Sequence, residues 1–109
     1  MMPMERSYYL YLHSFPDAKY YVGITSMKPE RRWNNGKGYR RKKKGRWCQP
    51  KMAKAIGKFG WDNIKHEVLF EGLSKEEAER LEQELIIYYD SIENGYNIAK
   101  GGGSNGSKA

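Results

Sequence analysis

The stretch from Tyr8 to Thr25, YYLYLHSFPDAKYYVGIT, constrains this chain more than any other. Tyr, Leu, Val and Ile dominate its two halves and Pro16-Asp17 separates them, so it reads as two short strands joined by a turn. Side chains alternate across a strand. On the first strand Leu10 and Leu12 share one face, and Tyr9, Tyr11 and His13 share the other. On the second, Val22 and Ile24 lie opposite Tyr21, Gly23 and Thr25. The hairpin therefore predicts an aliphatic face for a core and a phenolic face for wetter surroundings.

The remaining elements follow from spacing. Lys28-Pro29-Glu30-Arg31-Arg32-Trp33 predicts a short helix with Pro29 at its first position, and Asn34-Asn35-Gly36-Lys37-Gly38-Tyr39 breaks it. The run from Arg40 to Arg46 is polar and self-repelling, which predicts an exposed, mobile loop. Pro50 to Phe59 is a second helix: Met52, Ala55, Ile56 and Phe59 fall at helical spacing, and Gly60 closes it. From Asn63 to Glu71, Ile64, His66, Val68 and Phe70 alternate with Lys65, Glu67, Leu69 and Glu71 and predict a third strand, with His66 a core or edge residue. Ser74-Lys75-Glu76-Glu77 is a capping box opening a helix that runs to about Asp90. A short extended piece, Gly95 to Ile98, comes last. The fold class this predicts is α+β, a small three-stranded antiparallel sheet flanked by helices.

A chain of 109 residues holds one domain with a modest core. Residues 1–6 read as a lead-in, 7–100 as the domain and 101–109 as a Gly/Ser-rich tail. No run is apolar and long enough to cross a membrane, nothing reads as a signal peptide, and Cys48 alone excludes an internal disulfide or a multi-cysteine zinc site. A cytoplasmic protein is the expectation.

The net charge of +7 is unevenly spread. Eleven basic residues lie between Lys28 and Lys51, opposed only by Glu30, whereas Asp62 to Asn97 carries ten carboxylates against Lys65, Lys75 and Arg80. Segregation of this kind makes a positive lobe, the footprint of a nucleic-acid binder. Arg40, Arg41, Lys42, Lys43, Lys44 and Arg46 are its densest part.

Glu82 stands out on the last helix. At about 100° per residue, with Ala78 at zero, Leu81, Leu85, Tyr88, Tyr89 and Ile86 define an apolar arc, and Glu82 falls at about 40°, inside it. A carboxylate there is costly unless it is paired, reaches the edge of the stripe, or holds a cation.

Taken in order, these features resemble the GIY-YIG endonucleases. Leu10-Tyr11 and Tyr21-Val22-Gly23 stand for the two signature segments, with Tyr9 in place of the first glycine and either Tyr9 or Tyr11 as the first tyrosine, Tyr11 fitting the turn better. Arg32, before Trp33, matches the family's arginine; Glu82, among Ala78, Leu81 and Ile86, its metal-holding glutamate; Asn97, in Gly-Tyr-Asn, its closing segment. Lys37 and Tyr39 lie where relatives often carry a histidine.

The resemblance implies hydrolysis of a DNA phosphodiester bond by a Mg²⁺- or Mn²⁺-dependent enzyme, acting as a monomer or weak dimer, with no small-molecule cofactor and no membrane partner. It implies catalytic roles for Tyr11, Tyr21, Arg32 and Glu82, support from Gly23, Lys37, Tyr39 and Asn97, and Mg²⁺ on Glu82. Arg32 would neutralise charge on the phosphate, and a tyrosine would position or deprotonate the attacking water. The competing class is a nucleic-acid-binding module without catalysis, stacking bases on Trp33, Tyr39 and Trp47 beside the basic loop.

Overall fold

The computed structural model describes residues 7–98. The expected lead-in at 1–6 and tail at 101–109 lie outside that range. The elements in order are β1 (Tyr8–Ser14), β2 (Tyr20–Thr25), α1 (Pro29–Trp33), a 3₁₀ segment (Asn34–Tyr39), β3 (Lys42–Lys43), β4 (Arg46–Trp47), α2 (Pro50–Phe59), a 3₁₀ turn (Trp61–Asn63), β5 (Lys65–Leu73) and α3 (Lys75–Tyr89). No helix among the described residues is long and apolar enough to cross a membrane.

The three long strands form an antiparallel sheet in the order β2-β1-β5, so β1 is central. The class is α+β, as the pattern of elements predicts. Pro50 opens α2 and Gly60 ends it at φ 85°, a backbone angle that suits glycine. At the start of α3 both bonds of the capping box form: Glu77 N–H donates to Ser74 Oγ at 3.0 Å, and Ser74 N–H to Glu77 Oε1 at 2.9 Å.

Both faces of the sheet are covered. On one side Leu10, Leu12 and Val22 pack against Ile86 of α3, with Leu81, Leu85 and Tyr89 around them. On the other side Tyr11, Phe15, Tyr21, Trp33, Tyr39, Met52, Ala55, Ile56 and Ile64 form an aromatic core under α1 and α2. The phenolic face is therefore not the wet one: Tyr11 is 1 % exposed and His13 0 %. The alternation separates the two faces correctly but cannot show that two more helices cover the aromatic side.

Three further expectations are corrected. The basic run is not a loop: β3 and β4 pair as a small ribbon closed by Lys44-Gly45, both at positive φ, the geometry that matches strand twist in a two-residue hairpin. In β5 the ladder with β1 runs in one register from Lys65 to Val68 and shifts only beyond Val68. Leu69 and Leu73 pack on the aliphatic core, while Val68 and Phe70 are 43 % and 48 % exposed, because the aromatic core under α1 and α2 takes only Ile64 of the residues expected to point inward. On α3, Tyr88 points outward at 77 % exposure, because Leu81, Leu85 and Tyr89 already fill the contact with the sheet.

Gly95 and Asn97 tie the chain's end to β2. A side chain on Gly95 would meet the Tyr20 carbonyl at 2.6 Å, so only glycine allows Tyr96 N–H to donate to that carbonyl. Asn97 then clasps Val22 through its side chain, accepting from Val22 N–H and donating to Val22 C=O, each at 2.9 Å. Asn97 supports the strand carrying Tyr21 and touches no candidate reacting group.

Candidate active site

Tyr11 and Tyr21 lie on the aromatic side with ring centroids 6.5 Å apart, the planes inclined by 25°. Tyr11 pairs across the ladder with Gly23, and a Cβ on Gly23 would stand 2.6 Å from the Tyr11 ring and hydroxyl. The missing side chain is what lets the Tyr11 ring lie over β2. Tyr9, opposite Thr25, is half-buried and takes no part in this cluster. Gly23→Ala is expected to cost about 1–3 kcal/mol, as overpacking does, and to displace Tyr11. Urea denaturation checks the stability, and a parental midpoint would mean the ring does not depend on that space.

Arg32, in α1, is brought inward by the 3₁₀ segment. Its Nη1 donates to the Gly38 carbonyl at 3.2 Å, and its guanidinium carbon lies 4.9 Å above the Tyr39 ring. Asn34, Asn35 and Gly36, all at positive φ, produce that sharp reversal. Burial pushes the Tyr11 phenol up, and Arg32 and the hydroxyl of Tyr39 pull it back. Burial likewise raises Tyr21, whose hydroxyl donates to Gln49 Oε1 at 3.3 Å; Arg32 again opposes the rise. The buried indole N–H of Trp33 has no hydrogen-bond partner of good geometry, yet it lies near enough to Tyr11 to favour its anion.

Glu82 is buried at 8 % exposure, as its place in the apolar arc requires. Its charge acts on both Tyr11 and Tyr21, raising each. The described residues contain no cluster of three or more His, Cys, Asp or Glu, which excludes a zinc-type ligand set there. One buried carboxylate within electrostatic reach of two phenols instead fits a hard cation that keeps most of its waters, as Mg²⁺ does.

Beside this cluster opens a cleft of about 910 Å³, lined by Arg31, Arg32, Lys37, Arg41, Lys42 and Lys43 together with Tyr39 and Gln49. Lys37 is exposed in its wall, while Tyr39 is 1 % exposed at its base. Arg40, Lys44 and Arg46 are exposed but do not line it. Arg40 and Lys42 rest on the Trp47 ring, at 5.2 and 4.7 Å, which braces the ribbon. The structure thus gathers Tyr11, Tyr21, Arg32 and Tyr39, brings Glu82 within electrostatic reach, and leaves Asn97 as a strand clasp.

Two residues escape the sequence reading: Gln49, which holds Tyr21, and His13, whose Nε2 lies 2.9 Å from Tyr39 Oη. His13 carries a signal, since a histidine on the same strand face as Tyr11 is available to it.

Comparison with known proteins gives a concordant result. The GIY-YIG catalytic domain matches residues 7–97. Among solved structures, the catalytic domain of intron endonuclease I-TevI, in a glutamate-to-alanine mutant, superposes with a TM-score of 0.68 at 25 % identity, covering 86 % of this chain and 95 % of that one. No curated protein matches.

Proposed function

The chain belongs to the GIY-YIG catalytic domain family, and from that premise we propose that it is a divalent-metal-dependent DNA endonuclease whose reacting groups are Tyr11, Tyr21, Arg32 and Glu82. The observation that carries the reading is a set of two buried tyrosines, a buried glutamate and a half-buried arginine whose charges act on the tyrosines, beside a cleft walled by cations.

The chemistry follows from the groups. The DNA backbone lies along Arg31, Lys37 and the ribbon, and the scissile phosphate meets Arg32. Its guanidinium offers a planar, permanently charged fork to the oxygens that gather charge as water attacks. Tyr11 receives the proton of that water, and Tyr21, held by Gln49, orients it. A Mg²⁺ or Mn²⁺ ion on Glu82 would, when bound, offset charge on the phosphate and the departing oxygen. One site per chain cuts one strand at a time, which suits a monomer or weak dimer.

The test is direct: an end-labelled duplex is incubated with the chain and Mg²⁺, and strand lengths are followed. Shortened strands support the endonuclease; retarded but intact duplex would support a binding module without catalysis.

Binding should be dominated by phosphate contacts from the ribbon. Neutralising each phosphate releases condensed counterions, with a slope of log K against log salt of about −0.9 per contact on duplex DNA. Replacing Lys42, Lys43 and Lys44 by Ala is expected to flatten that slope by up to about three such contacts. Fluorescence anisotropy across a salt series checks it, and an unchanged slope would mean the ribbon faces away from DNA.

A further inference from the structure

A tyrosine that takes a proton from water must first lose its own, and Tyr11 has almost no contact with solvent. The structure provides a route. Tyr11 Oη lies 3.2 Å from Tyr39 Oη, and Tyr39 Oη lies 2.9 Å from His13 Nε2. His13 Nδ1 lies 2.9 Å from His66 Nδ1, and His66 Nε2 lies 3.0 Å from the Trp61 carbonyl. The four rings come from β1, the 3₁₀ segment and β5, and His66 is stacked on Trp61 with centroids 3.8 Å apart. Tyr39 and His13 are almost wholly buried, whereas His66 is half-buried and meets solvent.

We propose that Tyr11, Tyr39, His13 and His66 form a proton wire that carries the phenolic proton of Tyr11 to His66, with His13 and His66 acting on cleavage through Tyr11. The proposal rests on the reading of Tyr11 as the group that deprotonates the attacking water.

The hydrogen-bond inventory restricts the wire to two states. A carbonyl only accepts, so His66 Nε2 must carry a proton towards Trp61. Burial, with the charges of His66 and Arg32 adding to it, holds the His13 pKa well below its usual value, so His13 stays neutral. In one state Tyr11 donates to Tyr39, Tyr39 to His13 Nε2, and His13 Nδ1–H to His66 Nδ1; every ring is neutral. In the other each donor is reversed: His66 is an imidazolium donating to His13 Nδ1, His13 Nε2–H donates to Tyr39, and Tyr39 donates to Tyr11.

One shift of three protons converts the first into the second. Tyr11 gives its proton to Tyr39, Tyr39 gives its own to His13 Nε2, and His13 gives its Nδ1 proton to His66. The products are a Tyr11 phenolate and a His66 imidazolium, with no proton gained or lost. The phenolate then takes a proton from water as the water oxygen bonds to phosphorus. The bond to the departing oxygen breaks; that oxygen keeps the electron pair and takes a proton from solvent. The three protons then shift back from His66 to His13, Tyr39 and Tyr11 as Tyr11 releases to solvent the proton it took from water, which restores the first state and balances the cycle. The groups facing His66 are His13, the Trp61 carbonyl, Asp62 and the Trp33 and Trp61 indoles, with Arg32 acting on His13 behind it.

Both histidines of the chain belong to the wire, so protein labelled with ¹⁵N only in histidine reports it without background. Coupling across the two Nδ1 atoms is expected, and so is a linked change on acidification: as His66 becomes an imidazolium, the His13 proton moves from Nδ1 to Nε2. A His13 that keeps one tautomer throughout overturns the wire whatever the activity data show.

The kinetic arm uses single-turnover cleavage against pH. The parent rate is expected to level off once His66 is neutral, because the internal shift needs no bulk base. His66→Gln is expected to cut about tenfold to a hundredfold more slowly near neutrality and to keep accelerating as pH rises, with unchanged DNA affinity in Ca²⁺. Added imidazole should restore His66→Ala. A parental plateau in His66→Gln, or loss of rate in His66→Ala that imidazole does not reverse, overturns the wire. A parent chain that never cleaves would instead defeat the endonuclease reading, while the ¹⁵N titration still decides the wire.

Discussion

Glu82→Gln is expected to slow single-turnover cleavage by about a hundredfold to a thousandfold while leaving DNA binding intact. The carboxylate is buried on the inner side of α3, and its charge reaches the two tyrosines on the opposite side of the sheet. Glutamine has the same shape, so packing beside Ala78 and Ile86 survives. What goes is the negative charge that would attract Mg²⁺, and removing one charge-stabilising group from such a site costs a factor of this size. Affinity for the duplex should hold or rise, because a negative charge near the phosphate has gone. Glu84→Gln is the control: Glu84 is exposed and pairs with Arg80 at 3.1 Å, an interaction of small energetic weight. Glu79 serves less well, being partly covered and near Lys75. Rapid-quench cleavage with Mg²⁺ and anisotropy with Ca²⁺ measure the two effects. A Glu82→Gln chain that cleaves like its parent would remove Glu82 from the reaction.

Tyr11→Phe is expected to lower cleavage by about a hundredfold to ten-thousandfold, the range that a positioned acid or base contributes. The substitution deletes one oxygen, leaves the ring over Gly23, and takes from Tyr39 a hydrogen bond worth about 1 kcal/mol net. Thermal unfolding should therefore shift only slightly. Tyr9→Phe is the partner experiment. Tyr9 sits opposite Thr25, away from Arg32 and Tyr39, and its variant should cut like the parent. The reverse outcome, with Tyr9→Phe inactive and Tyr11→Phe active, would move the signature tyrosine by one repeat of the strand.

Local signals carried much of this architecture. Ser74 with Glu77, Pro50 with Gly60, and the two tyrosine-rich strands are each specified by neighbours a few residues away, so α2, α3 and the hairpin were legible in the sequence. Glu82 was legible because a helix has a fixed period and a carboxylate inside the apolar arc is conspicuous. The failures share a different cause. Val68 and Phe70 are exposed because the aromatic core under α1 and α2 takes only Ile64 from that alternating set, and where a covering helix stops leaves little trace in strand periodicity. The ribbon at Arg40–Arg46 depends on Lys44-Gly45 at positive φ and on Trp47 beneath Arg40 and Lys42, whereas a charge count sees only repulsion. His13 and His66 lie far apart along the chain, and only the pairing of β1 with β5 brings their rings together. Contacts of that kind belong to topology, which spacing along one strand does not encode.

The most direct measurement is incubation of supercoiled plasmid with the parent chain, with Mg²⁺ and with EDTA, read as conversion to nicked and linear forms. The account predicts conversion with Mg²⁺, its loss in EDTA, and its loss in Glu82→Gln and Tyr11→Phe but not in Glu84→Gln. Plasmid that is bound yet stays supercoiled with Mg²⁺ or Mn²⁺, or is cut equally well in EDTA, would contradict it.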